Sequence, residues 1–330
     1  MRDKSSQFSG KHKVNGGWVK DLSEMIGREI YERFIICGKP EIKRTKKGDT
    51  CFLTVKIGDK TGETELKVWQ IPIPEADKVM ALFEAGKVYA LETTVREYNN
   101  KVQLNMTWER DHVNRPWHCE STDYFEDDFN MITEWPFGFS LETLAGRINE
   151  LIINMKHPGY RAILVSFWLN SDWLTQFKKW PAAKHRHHAY IGGLLHHVFE
   201  MLEIMMGYSA LGYEQLNLDL LAIGIILHDI GKLDEYKLGL QISYDEDIGK
   251  IGHSARAVEL IDRAVWERKI DISEADVRAL KHLILSHHGD VENGFGSAIS
   301  PQTPEARLLH CLDMMSAKTN EEYFKIHKIR

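Results

Sequence analysis

The chain has 330 residues, 43% of them hydrophobic and 27% charged, a balance that leaves room for two domains with sizeable cores and excludes a disordered or fibrous protein. Its apolar run at residues 220–227 is too short to cross a bilayer, and the first residues hold no apolar stretch of a secretory signal, so a cytoplasmic protein with no membrane partner is expected. The net charge of −6 argues against a whole-surface polyanion binder, but it divides as +2 over residues 1–27, +2 over 28–115 and −10 over the remainder.

Residues 1–27 read as a polar, loosely ordered lead-in. From about 30 to 108 the pattern is β-rich, with strands expected at 31–38, 50–57 and 63–69, a short helix at 76–84, and two more strands at 87–95 and 102–108. Three strands, a helix and two strands is the order of an OB-fold barrel, assigned here to residues 28–115. Residues 116–139 read as an acidic linker, and residues 140–330 as an all-α domain. Ser140 is the expected N-cap of its first helix, with further helices near 159–179, 188–207, 217–230, 252–268, 273–287 and 303–319. The fold class expected is therefore multidomain, an all-β barrel followed by an all-α domain. Cys37, Cys51, Cys119 and Cys311 are scattered without C-x-x-C spacing and are expected to be reduced thiols.

The loop between the first two expected strands carries Lys43, Arg44, Lys46 and Lys47. With the later turn at Tyr98 and Lys101, it would frame the binding face of such a barrel. Lysines there would follow phosphates while Phe52, Trp69 and Tyr98 stack on bases, a sequence-tolerant mode of single-strand binding. A lysine-rich hairpin is otherwise a solvated loop, and strand aromatics are otherwise core.

The most informative segment is Leu221-Ala-Ile-Gly-Ile-Ile-Leu-His-Asp-Ile-Gly-Lys232, an apolar run that ends in two adjacent metal-ligand types. A buried carboxylate without a partner is destabilising, and a bound cation compensates it. Further ligand types lie on both sides, His197 upstream and His253, His287, His288 and Asp313 downstream; 11 of the 16 His fall between His185 and Asp313. In the order H…HD…H…HH…D, this set resembles the HD-domain superfamily of metal-dependent phosphohydrolases. The resemblance implies metal ligands at His197, His228, Asp229, His253, His287, His288 and Asp313. Seven are too many for one open-site ion, so two ions bridged by Asp229 is the reading preferred. Such a pair, about 3.5–4 Å apart, suits an in-line phosphoryl displacement. Nitrogen with carboxylate ligands favours transition metals, with manganese first and cobalt, iron, nickel or zinc as alternatives. Lys232, one turn beyond His228, is placed to neutralise a phosphate oxygen beside the catalytic Asp229.

The segment Pro181-Ala-Ala-Lys-His-Arg-His-His-Ala-Tyr-Ile-Gly-Gly-Leu-Leu-His-His197, with Ser286-His-His-Gly289, Pro304-Glu-Ala306 and Leu309-His-Cys-Leu-Asp313, resembles YhaM-type 3′–5′ exoribonucleases. These also carry an OB domain ahead of the HD domain. Two places depart from the family pattern: residue 196 is His where an acid is common, and Ala255-Arg-Ala-Val258 is atypical. The resemblance implies a metal-dependent exonuclease that releases nucleoside 5′-monophosphates from the 3′ end of single-stranded RNA, with DNA as a further substrate and homo-oligomers as a compatible state. Lys184, Arg186 and His188 are its substrate-side candidates. Two alternatives stand beside it. One is an HD hydrolase of dNTPs, alarmones or cyclic dinucleotides, although the GYP element of cyclic di-GMP-cleaving relatives is missing after His288. The other is an inactive nucleic-acid-binding protein, against which no expected ligand position is replaced.

Overall fold

Alternating burial along the first third of the chain closes into a ring of strands. The computed structural model describes residues 11–13, 17–45, 48–108, 117–118, 123–209, 211–213, 215–294 and 296–327. Strands β1 (Glu29–Ile36), β2 (Glu41–Arg44), β3 (Thr50–Asp59) and β4 (Gly62–Pro72) precede the short helix α1 (Ala76–Met80). Strands β5 (Val88–Tyr98), β6 (Lys101–Thr107) and β7 (Trp117–His118) follow. The sheet runs β1-β3-β4-β6-β5, and pairing of β1 with β5 closes it into a five-stranded barrel. Within the ring β4 and β6 run parallel, as the crossover through α1 permits, and the other pairs are antiparallel.

The period of two sorts the side chains. Leu53, Val55, Ile57, Leu66, Val68 and Leu104 point inward and are fully buried, while Phe52, Thr54, Lys67 and Trp69 lie on the outer face. Strand β2 was not expected. It lies within the lysine-rich loop, and its Lys43 stands opposite Phe52 of β3. Asn99 and Asn100 both take positive φ, 50° and 58°, and form the two-residue turn that sets Tyr98 opposite Lys101. Part of the lead-in lies within the described residues. A 3₁₀ turn at Val19–Met25 buries Leu22, and Lys13 is buried in an ion pair with Asp59 at 2.7 Å.

The second half is helical. Helix α2 (Leu141–Asn154) opens as expected on Ser140, whose hydroxyl accepts from Thr143 N at 3.2 Å. The single helix expected over 159–179 is two, α3 (Pro158–Trp168) and α4 (Ser171–Lys179). Asn170 caps the second by accepting from the amides of Asp172 and Trp173. Helices α5 (Gly193–Ser209), α6 (Leu218–Leu227) and α7 (Lys232–Glu235) follow, then a hairpin of β8 (Tyr236–Leu238) and β9 (Ile242–Tyr244) that periodicity did not signal. Helices α8 (Ile248–Glu267), α9 (Glu274–Ser286) and α10 (Pro304–His327) complete the chain. Every residue of α6 from Leu220 to Leu227 is buried, so this helix is central and apolar on all sides.

The chain forms two compact units, one of Met1–Met131 with Gly239–Gln241 and one of Ile132–Leu238 with Ile242–Arg330. The fold class is the one expected, a barrel followed by a helical domain. No helix of the described residues is long and apolar enough to cross a membrane. Cys37 and Cys51 are buried and Cys311 is exposed, none of them in a disulfide; Cys119 lies outside the described residues.

Candidate metal centre and nucleic-acid face

The centre is built on the end of α6. Asn217 caps that helix at its start, accepting from Leu220 N at 2.9 Å, and His228 closes it. Asp229 follows, and Gly231 turns the chain into α7. A Cβ at residue 231 would collide with the backbone carbonyl of His253, so only glycine lets this turn lie against α8. Helix α8 is itself broken at Gly252, whose φ of 77° redirects the chain immediately before His253. Helix α5 brings His197, α9 ends at His287 and His288, and α10 brings Asp313.

These seven side chains converge. His197 Nε2 lies 3.2 Å from Asp313 Oδ1, and His228 Nε2 lies 3.3 Å from Asp229 Oδ2. The other oxygen of Asp229 faces His253 Nε2 at 3.3 Å and His287 Nε2 at 3.8 Å. One carboxylate thus stands between two ligand groups, His197 with His228 and Asp313, and His253 with His287 and His288. His197, His228, Asp229 and His287 are almost wholly buried.

Two features fit a cation. Among the described residues, six buried atoms at this point have no hydrogen-bond partner: Nε2 of His197, His228, His253 and His287, Nδ1 of His288 and Oδ1 of Asp229. Buried polar atoms are almost always satisfied, so six orphans aimed at one place mark a site for a group that accepts lone pairs. In addition, Nδ1 of His228 and of His287 meets the carbonyls of Ile225 and Ile284 at 2.8 and 2.6 Å, and that of His253 meets Glu235 Oε2 at 3.2 Å. These acceptors require the proton on Nδ1, which leaves Nε2 as the bare ligand atom.

The electrostatics agree. Burial opposes charge on Asp229, yet Lys232, His228 and His253 hold its carboxyl well below the usual range. Asp313 is also lowered against its burial, chiefly by His197 at 3.2 Å and then by His228 and His287. Burial, with His288 and His228 nearby, keeps His287 neutral, and burial with His253 pushes His288 down to about 4. Burial also opposes charge on His228, but Asp229 outweighs it and raises the imidazole; a cation at that carboxylate competes with this proton.

Lys232 is buried and turned inward, its Nζ donating to Asp229 Oδ2 at 2.6 Å and to Ala182 O at 2.7 Å. Of the substrate-side candidates, Lys184 is half-buried with Nζ 5.9 Å from the Tyr244 ring, and Arg186 is exposed. His188 is fully buried, its amide donating to Asn320 Oδ1 at 2.7 Å and its Nε2 lying 3.1 Å from Glu200. It is His187, which the sequence did not single out, that is half-buried with its ring 5.2 Å from that of His197. Glu235, Glu200 and Ser316 were also missed. No spacing rule links Glu235 to His253 or Ser316 to His197, and Glu200 reaches the ligands only through Ser316.

On the barrel, Phe52 and Trp69 stack on the outer face with centroids 4.7 Å apart and planes at 27°. Both are half-buried, and Lys67 Nζ lies 5.9 Å from the Phe52 ring. Lys43 and Arg44 are exposed on β2, Lys43 with an ion pair to Glu41 at 3.3 Å. Tyr98 is 66% exposed at its turn, and Lys101 is exposed opposite it. Lys46 and Lys47 lie outside the described residues. An aromatic pair flanked by cations has the chemistry to stack bases and pair phosphates, which makes this face a candidate.

The profile of the HD domain family matches residues 185–318, the segment that carries the whole centre. The 3′–5′ exoribonuclease YhaM of Bacillus velezensis is 31% identical over 294 residues, covering 89% of this chain and 86% of that protein. The protein of the same name in Bacillus subtilis is 30% identical over 89% of this chain and 87% of its own length. That of Listeria welshimeri is 31% identical over 91% and 89%.

Proposed function

The chain belongs to the YhaM family of 3′–5′ exoribonucleases, and on that premise we propose that the seven converging side chains are the centre of a metal-dependent exonuclease that shortens RNA from its 3′ end. The observation that carries this reading is the set of six orphaned buried atoms, divided between two ligand groups with Asp229 between them. That arrangement supports two divalent ions: His197, His228 and Asp313 would hold one, His253, His287 and His288 the other, and Asp229 faces both groups. Bound there, such ions acidify water and offset charge on a phosphodiester. Histidine with carboxylate donors suits a transition metal, and manganese is the ion this reading takes first, with cobalt, iron, nickel or zinc as alternatives.

The protein's own groups have distinct tasks. Lys232 holds Asp229 by one oxygen, which leaves the other directed at His253 and His287. Two of its three N–H donors are used within the protein, and the third is available to a phosphate oxygen. The stacked Phe52 and Trp69, with Lys43, Arg44, Lys67 and Lys101 on or beside the same barrel face, support a single-stranded substrate held without base specificity. That face favours a polymer over a free nucleotide. DNA as a second substrate, release of nucleoside 5′-monophosphates and a homo-oligomeric state belong to the same reading.

The decisive experiment incubates the protein with RNA labelled at its 5′ end or at its 3′ end. Expected are metal-dependent release of mononucleotides from the 3′ label first, loss of activity in chelator, and recovery on adding manganese. Turnover of free nucleotides with intact RNA would establish the small-nucleotide alternative. RNA binding with no hydrolysis under any metal would make the protein a binding module.

A further inference from the structure

Beneath the metal ligands lies a second layer of polar groups that the proposed chemistry does not use. His197 and Glu200 are one turn apart on α5, and Asp313 and Ser316 are one turn apart on α10. The upper pair meets as His197 Nε2 and Asp313 Oδ1 at 3.2 Å. The lower pair meets as Ser316 Oγ donating to Glu200 Oε2 at 2.7 Å. A diagonal contact joins the layers, with His197 Nδ1 2.9 Å from Ser316 Oγ.

The direction of each proton follows from what can accept. An ionised carboxylate only accepts, so the Ser316 hydroxyl gives its proton to Glu200 and is left to accept from His197 Nδ1–H. Glu200 is held in place from its other side. His188 Nε2 lies 3.1 Å from Oε2, and His196 Nε2 lies 3.3 Å from Oε1. The tautomer of His196 is set in turn, because Asn320 Nδ2 donates to Tyr190 OH at 3.1 Å and Tyr190 OH meets His196 Nδ1 at 2.8 Å. Three donors thus converge on one carboxylate. The unusual His196 of this chain finds its use here.

We infer that Glu200, through Ser316, is a positioning residue that fixes the Nδ1–H tautomer of His197 and raises the basicity of the Nε2 atom offered to metal. The inference rests on His197 being a metal ligand, as proposed above. The serine hydroxyl carries the polarisation of the carboxylate to the imidazole, as a carboxylate bonded directly to a ligating histidine does. His188 and His196 act one step further back, by holding Glu200 against Ser316.

The test measures manganese binding calorimetrically on chelator-treated full-length protein, with thermal melting of the same metal-free samples. Ser316→Thr and Ser316→Val have nearly the same shape and differ in the hydroxyl. The valine variant should bind one ion about 10–100-fold more weakly than the threonine variant, while the metal-free melting temperatures of the two agree. Glu200→Gln should weaken the same ion. His197→Ala should lose it. If His197→Ala keeps all its ions, the ligand assignment fails and the inference with it. If His197→Ala loses an ion while the valine and threonine variants bind alike, the relay alone is overturned. A third ion present in the parent protein and lost in Glu200→Gln would give Glu200 a metal site of its own, which also overturns the relay.

Discussion

Lys232 Nζ lies 2.6 Å from Asp229 Oδ2, three residues back along the chain, inside the ligand cluster. The pair is almost wholly buried, so each charge depends on the other for compensation. This makes the lysine part of the architecture of the centre as well as a candidate for contact with phosphate.

Replacing Lys232 with Met should therefore have a metal-dependent cost. Breaking one side of a buried ion pair typically costs about 3–5 kcal/mol, because the other charge is stranded. A cation at Asp229 supplies the missing charge, so the variant should be destabilised strongly in chelator and much less with manganese present. Activity should fall by about 10²–10³ even when metal is saturating. Urea titrations with and without metal check the first point. Equal destabilisation in both conditions would show that Lys232 does not compensate Asp229.

Gly231→Ala tests the backbone approach that brings His253 to Asp229. The added methyl meets the rigid carbonyl of His253, and overpacking of this kind costs about 1–3 kcal/mol or more. Expected are a lowered melting temperature and loss of the ion assigned to His253, with the ion on His197 retained. A variant with wild-type metal content would mean that the turn yields without moving His253.

The barrel face should govern affinity and leave chemistry alone. Trp69→Ala or Phe52→Ala should each weaken single-stranded RNA binding by about 1–3 kcal/mol, the usual contribution of a stacked base. Replacing Lys43, Arg44, Lys46 and Lys47 with Ala should flatten the salt dependence, by about 0.7 in log–log slope for each phosphate that is no longer neutralised. Fluorescence anisotropy over a salt series reads both effects. Turnover of a dinucleotide at saturation should stay near the parent value in all of these variants; a matching fall in that turnover would place the face in the reaction itself.

The acid limb of the barrel's stability should depend on Asp128. Burial opposes its charge, but the amide of Lys13 at 2.8 Å, the Lys60 ammonium at 3.1 Å and His12 outweigh that, so its carboxyl titrates below the ordinary value. A lowered native value means the unfolded chain takes the proton first. The contribution is complete above the ordinary aspartate range near pH 4 and is lost as the pH falls from there through the lower native value. Asp128→Asn should remove this part of the pH dependence, giving a shallower loss of stability below about pH 4. Chemical denaturation at a series of acid pH values measures it, and an unchanged slope would contradict the assignment.

Much of the barrel was legible because a two-residue period writes burial directly into the sequence. Leu53, Val55, Leu66 and Val68 alternate with Phe52, Thr54, Lys67 and Trp69, and each set lies on its own face. Strand β2 escaped because its four residues, Glu41–Arg44, are mostly exposed and charged, and edge pairing with β3 leaves no hydrophobic trace. The break at Asn170 was equally local but ambiguous, since an asparagine serves in a helix or caps one, and packing of α3 and α4 decided which.

At the centre, the sequence by itself determined which residue types are available as ligands and where on their helices they sit. His228 and Asp229 after an apolar run, and paired histidines after α9, carry that information within a few residues. It could not determine what each ligand leans on. Ser316 supports His197 from 119 positions away, and Asn320 fixes His188 from 132 away. It also could not say that His187 lies beside His197 while its neighbour His188 is buried against Glu200. Adjacent residues in a turn differ in direction by backbone angles, here a positive φ at His188 with Gly193 pressed on its carbonyl. Periodicity reports which face of an element is buried. Only the docking of α5 against α10 decides which partner each buried polar atom finds there.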